Sequence, residues 1–164
     1  MRIDAAQLLR EPIGTQASSE VDLGFQRLSD DLSVSAIKGQ LKLLRTSEGI
    51  QTRGVLSVDV DLECGRCLSP VTETIKVELE ERFLASLLNV SEDEQVFPID
   101  ADHHLDLTPV LGDLVVVSTP MHVLCRPGCL GLCCTCGKNL NEGLCDCQPD
   151  EIDPRLAALK ALIK

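Results

Sequence analysis

Nine cysteines stand out in this chain of 164 residues, and eight of them come in pairs. "CGRC" places Cys64 and Cys67, "CRPGC" Cys125 and Cys129, "CCTC" Cys133 and Cys136, and "CDC" Cys145 and Cys147. Thiolates are soft ligands, and four of them at tetrahedral corners, about 2.3 Å from the ion, make a structural zinc site. A C-x2-C turn delivers two such ligands from one tight loop. A small residue in or just after that turn relieves crowding and leaves backbone N–H groups free to face the sulfurs. Gly65 and Gly137 occupy those positions. Such pairs, repeated along one chain, point to metal binding.

Eight thiolates suffice for two all-thiolate sites. Local closure groups Cys133, Cys136, Cys145 and Cys147 around the loop "GKNLNEGL", whose Gly and Asn residues suit tight turns. Cys64 and Cys67 would then join Cys125 and Cys129 across a long intervening segment, where metal binding contributes to folding. The rival partition holds one zinc on Cys64, Cys67, Cys133 and Cys136 and leaves the other thiols free. Two sites are favoured over one. Cys134 lies inside a C-x2-C, where its side chain should point away from the metal, so it reads as a spare small residue. His122 precedes Cys125 and could substitute as a ligand, although an exposed or structural His is the plainer reading. Disulfide exchange wants C-x-x-C at a helix start, where the dipole lowers a thiol pKa, whereas "CGRC" lies between two strand patterns. The spacings also differ from ferredoxin iron–sulfur runs.

The elements that must position these pairs are mostly strands. "LSVSAIKGQLKLLR" and "IQTRGVLSVDVDLE" flank "TSEG", a hairpin turn. Val58, Val60 and Leu62 alternate with Asp59, Asp61 and Glu63, and after "CGRC" the run "VTETIKVELEE" sets Val71, Ile75, Val77 and Leu79 on one face. Such period-two patterning describes half-buried antiparallel strands with a solvated acidic face. "IDAAQLLREP" reads as a short helix with Asp4 as N-cap, and residues 13–20 as loop. "SEDEQVFPIDADHH" reads as an acidic connection in which His103 and His104 are polar loop residues. Thr108 as N-cap and Pro109 at N1 open a helix that Pro120 ends. In the tail, Asp153 and Pro154 repeat the device before an amphipathic helix. The expected fold is α+β: an antiparallel sheet, barrel-like or hairpin-based, with a few short helices and a Cys-rich zinc-ribbon-like segment. Residues 1–120 would form the body, and residues 121–164 the metal-binding segment and terminal helix packed on it.

Composition narrows the function classes. The formal charge is −11, with 10 basic and 21 acidic residues up to Pro120 and 5 of each from Met121 onward. An acidic body repels phosphate, and three Phe with no Trp or Tyr leave few platforms for stacking bases. Both features disfavour autonomous RNA binding and favour a basic protein partner. No apolar run is long enough to span a bilayer and the start lacks an apolar signal core, so cytoplasm is the expected compartment. There thiols stay reduced, which again favours metal over disulfides. No P-loop or dinucleotide fingerprint appears, and a zinc with four sulfur ligands has no open position for water. The chain reads as non-enzymatic, with no catalytic residue and no small-molecule substrate.

Taken together, "LECGRCLSPV", "LCRPGCLGLCCTCGKNLNEGLCDC" and "IDPRLAALKAL" resemble the bacterial YceD family, the large ribosomal RNA subunit accumulation proteins, over about residues 20 to 164. The resemblance implies a non-enzymatic factor in accumulation of large-subunit ribosomal RNA. It implies metal binding at the eight paired cysteines, and as partners large-subunit ribosomal RNA or a basic large-subunit ribosomal protein. Where the family usually carries Pro, this chain has Cys134. The alternatives are a zinc-dependent protein-interaction module unrelated to ribosomes and a thiol redox protein.

Overall fold

Period-two patterning becomes strand through the middle of the chain. The computed structural model describes residues 1–30, 32–85 and 96–147. In order it contains β1 (Arg2–Asp4), α1 (Ala6–Arg10), β2 (Gln16–Leu23), β3 (Gln26–Arg27), β4 (Ser33–Arg45), β5 (Gly49–Glu63), β6 (Pro70–Leu84), β7 (Phe97–Pro98), β8 (His104–Asp106) and α2 (Thr108–Ser118). The main sheet runs β2–β4–β5–β6–β7, with β3 also paired to β4, and β1 and β8 form a separate two-stranded sheet. The fold is α+β and hairpin-based, largely antiparallel, with one short parallel pair between β6 and β7.

The expected hairpin forms across "TSEG", and its register sets Ile37 opposite Val58, Leu41 opposite Gly54 and Leu43 opposite Thr52. Leu56, Val58 and Val60 of β5 and Ile75, Val77 and Leu79 of β6 face the core, joined by Leu8 of α1 and by Val110, Leu111 and Val115 of α2. The acidic residues between them lie on the other face, where hydroxyls of the neighbouring strands hold Asp59 and Asp61 of β5. Thr72 Oγ1 donates to Asp61 at 2.7 Å and Thr74 Oγ1 to Asp59 at 2.6 Å. Hydrogen bonds from Ser35 and Thr72 hold the Asp61 carboxyl below the usual carboxylate range.

Several local expectations need correction. Residues 16–20, read as loop, belong to β2, which pairs over its whole length with Ile37–Leu44 of β4. "QASSE" has no β-branched or aromatic signal, and tertiary pairing supplied the strand. Part of the acidic connection is also strand. Phe97 sits beside Phe83 with ring centroids 5.7 Å apart, and His104 pairs with Asp4 through β8. Both helix starts are shifted. Asp4 accepts from the Ala6 N–H at 2.8 Å and Asp106 from the Thr108 N–H at 2.9 Å, so Thr108 is the first helical residue and not the cap. The amphipathic tail at 153–164 lies outside the described residues. Among the described residues, no helix is long and apolar enough to cross a membrane.

The chain divides into two compact units. One comprises Met1–Leu62 and Thr72–Met121, and the other joins Glu63–Val71 to the chain from His122 on. The second unit is therefore discontinuous in sequence and contains all nine cysteines.

Candidate metal centre

Two C-x2-C turns with the same hydrogen bonding organise the second unit. In the first, the Cys64 N–H donates to the Ser69 carbonyl at 2.9 Å and the Leu68 N–H to the Cys64 carbonyl at 3.0 Å. In the second, the Cys133 N–H donates to the Lys138 carbonyl at 2.9 Å and the Gly137 N–H to the Cys133 carbonyl at 2.9 Å. The residue after the second Cys takes left-handed backbone in both turns: Leu68 at φ 59° and Gly137 at φ 71°. Gly137 supplies that conformation, but a Cβ there would meet nothing within 4 Å, so the glycine relieves no crowding. At Cys64/Cys67 that conformation falls on Leu68 instead, while Gly65 donates its N–H to the Val123 carbonyl at 2.8 Å.

These turns gather the eight paired cysteines into two groups of four: Cys64, Cys67, Cys125 and Cys129, and Cys133, Cys136, Cys145 and Cys147. Within each group the sulfurs all lie within 4.8 Å of one another. In the first group Cys64 Sγ is 3.8 Å from Cys129 Sγ, and Cys67 Sγ is 3.6 Å from Cys125 Sγ. A tetrahedron with bonds of about 2.3 Å has edges of about 3.8 Å. The spacing fits four thiolates around one ion, and is too short for thiolates spread around a four-iron cluster. Cys134 and His122 belong to neither group; both are exposed, and the Cys134 thiol lies 3.8 Å from the Thr135 hydroxyl.

The electrostatics match that fit. Cys64 is lowered to about 6 by backbone N–H groups, that of Cys125 first and then those of Arg66 and Cys67. Cys133 is likewise lowered to about 6, by the N–H groups of Cys136 and Thr135. The counterpart thiols move the other way: Cys125 is raised to about 12, first by its hydrogen bond with Cys67, and Cys147 to about 12, first by its bond with Cys136. Four thiols this close cannot all carry charge unless a cation lies among them.

The two groups differ in setting. Cys64, Cys67 and Cys129 are buried and pack with Val71, Leu124 and Leu132, whereas none of the second four is buried. The first group also draws on a residue that the sequence reading passed over. Asn141 Nδ2 lies 3.3 Å from Cys129 Sγ, and this amide is the foremost cause holding the Cys129 thiol below its ordinary pKa. In sequence, Asn141 is only one of two Asn in a turn-rich loop.

Comparison with known proteins adds an independent line. A family model described as large ribosomal RNA subunit accumulation protein YceD matches residues 52–163. An uncharacterized protein of Mycobacterium tuberculosis is 29% identical, covering 99% of this chain and 81% of that protein. The chloroplastic large ribosomal RNA subunit accumulation protein YCED homolog 1 of Zea mays is 26% identical, over 68% of this chain and 48% of the maize protein. The uncharacterized protein YlbN of Bacillus subtilis is 25% identical, over 81% and 76%. No solved structure matches the chain at a significant level.

Proposed function

Since the chain belongs to the YceD family, we propose that it is a factor for accumulation of large-subunit ribosomal RNA, acting by binding through a fold held together by zinc. Family membership carries this reading, together with the function printed in the name of the maize relative. The binding partner is large-subunit ribosomal RNA, a basic large-subunit ribosomal protein, or both. With a formal charge of −11 the protein component is the stronger candidate for the first contact, because opposite net charges speed and orient encounter.

In this reading Cys64, Cys67, Cys125 and Cys129 hold one zinc, and Cys133, Cys136, Cys145 and Cys147 a second. A zinc saturated by four thiolates supplies folding energy and no open coordination position. The first would join the turn after β5 to the chain after α2, and the second would close the loop that bears Asn141. Dithiol exchange at "CGRC" is less well supported, because Cys64 and Cys67 each approach a cysteine of the distant pair and both are buried.

The test is depletion of the protein in its own host, followed by measurement of large- and small-subunit ribosomal RNA and of ribosomal particles on gradients. The expected result is a selective deficit of large-subunit RNA, restored by the wild-type gene. An unchanged ratio of the two RNAs would overturn the proposal.

A further inference from the structure

Asn141 sits on the loop between Cys136 and Cys145, inside the span of the second cysteine group, yet its side chain serves the first. One Nδ2 hydrogen points to Cys129 Sγ at 3.3 Å, and Nδ2 also donates to Asn139 Oδ1 at 2.8 Å. Its Oδ1 accepts from the Leu130 N–H at 2.9 Å and from Arg126 Nη2 at 2.7 Å. Two donors therefore fix the oxygen, so the NH2 group must face the sulfur; every hydrogen-bonding position of this amide is used. The loop has its own anchors: the Leu140 N–H donates to the Gly131 carbonyl at 2.9 Å, and Lys138 Nζ to the Leu144 carbonyl at 2.8 Å.

We propose that Asn141 is a positioning residue that couples the two cysteine groups, so that metal in the second raises the affinity of the first for its own metal. The inference rests on the reading that both groups hold zinc. Cys133 and Cys136 precede the loop and Cys145 and Cys147 follow it, so an ion shared by these four pins both of its ends. A pinned loop holds the amide against Cys129, where an N–H donor favours the thiolate that a metal requires. Without the second ion the loop keeps only its hydrogen-bond anchors, those of Leu140 and Lys138 among them, and the donor to Cys129 is lost for part of the time. Loss of a hydrogen-bonding partner behind a metal ligand typically costs about 10–100-fold in metal affinity. Linkage makes the effect reciprocal, so filling the first group raises the affinity of the second by the same factor.

The test uses the full chain loaded with zinc, titrated with a chromophoric chelator to obtain the affinity of the first group. Four proteins are compared: wild type, Asn141→Ala, Cys145→Ser/Cys147→Ser, and the three changes combined. Removing the second group should weaken the first by about 10-fold or more. Asn141→Ala should lose at least as much with the second group intact, and the combined protein should be no weaker than Asn141→Ala. An unchanged first-group affinity in Cys145→Ser/Cys147→Ser overturns the coupling, and so do losses that multiply in the combined protein. Should Asn141→Ala not fold, Asn141→Asp takes its place, since it keeps an oxygen for Arg126 and Leu130 and has no N–H to offer Cys129. The underlying reading fails separately and visibly, as a wild-type protein that takes up no zinc.

Discussion

Thr52→Val is expected to stabilise the chain. Thr52 lies on the inward face of β5 between Ile50 and Leu56, opposite Leu43 of β4, and is 0% exposed. Its Oγ1 has no hydrogen-bond partner among the described residues. A buried hydroxyl left unpaired costs about 1–3 kcal/mol, the desolvation it never recovers. Valine has nearly the same shape and keeps the branching that suits a strand, and its second methyl adds up to about 0.8 kcal/mol of apolar burial. The net gain should be about 2 kcal/mol, which for a chain of this size raises Tm by roughly 4–8 °C. Urea unfolding at constant metal should show a higher midpoint with an unchanged slope. Thr52→Ser is the control: it keeps the unpaired hydroxyl, removes a buried methyl and should lose about 1 kcal/mol. A Thr52→Val protein less stable than wild type would refute the reasoning, because it would mean that the hydroxyl is satisfied by buried water.

Three further outcomes follow from the geometry. Cys134→Ser should leave bound zinc per chain unchanged by elemental analysis, because Cys134 stands outside both groups, whereas Cys136→Ala should lower it by one ion. Gly54→Ala should cost about 1–3 kcal/mol in urea unfolding, since its Cβ would lie 2.4 Å from the Gln40 carbonyl and 3.1 Å from the Leu41 Cα, both backbone atoms of the facing strand. Asp100 accepts the N–H groups of His104 and Asp102, and its carboxyl is held below the ordinary value chiefly by the His104 bond. A depressed folded pKa gives stability that is present above the unfolded value of about 3.9 and lost as pH falls through the lower folded one. The stability curves of wild type and Asp100→Ala should therefore converge below about pH 4 in pH-dependent unfolding.

The legible parts of this molecule were those set by short-range repetition. Alternation alone placed Val58 and Val60 of β5 and Ile75, Val77 and Leu79 of β6 on the buried side. Cysteine spacing indicated which sulfurs could close locally. The β2 residues Gln16–Glu20 were illegible because their strand state comes from the ladder to β4 and not from their own side chains. Leu68 was missed for a related reason. Glycine advertises left-handed backbone, which Gly137 adopts, but the matching position in the first turn carries Leu. Asn141 lay beyond sequence reasoning because its partner sulfur is 12 residues away and faces it only after two turns have formed.

The discontinuity of the second unit has a consequence for synthesis. Cys125 follows Cys67 by 58 residues, whereas Cys145 follows Cys136 by nine. At the usual 5–20 residues per second, the first pair waits on the order of 3–12 s on the nascent chain before its counterpart emerges. The later group completes its set within about 2 s of its own second cysteine at the same rate. During the longer interval Cys64 and Cys67 are two open thiols, able to capture a stray metal ion or to be oxidised. Closure of their site then follows the emergence of the entire first unit, whose last residue is Met121.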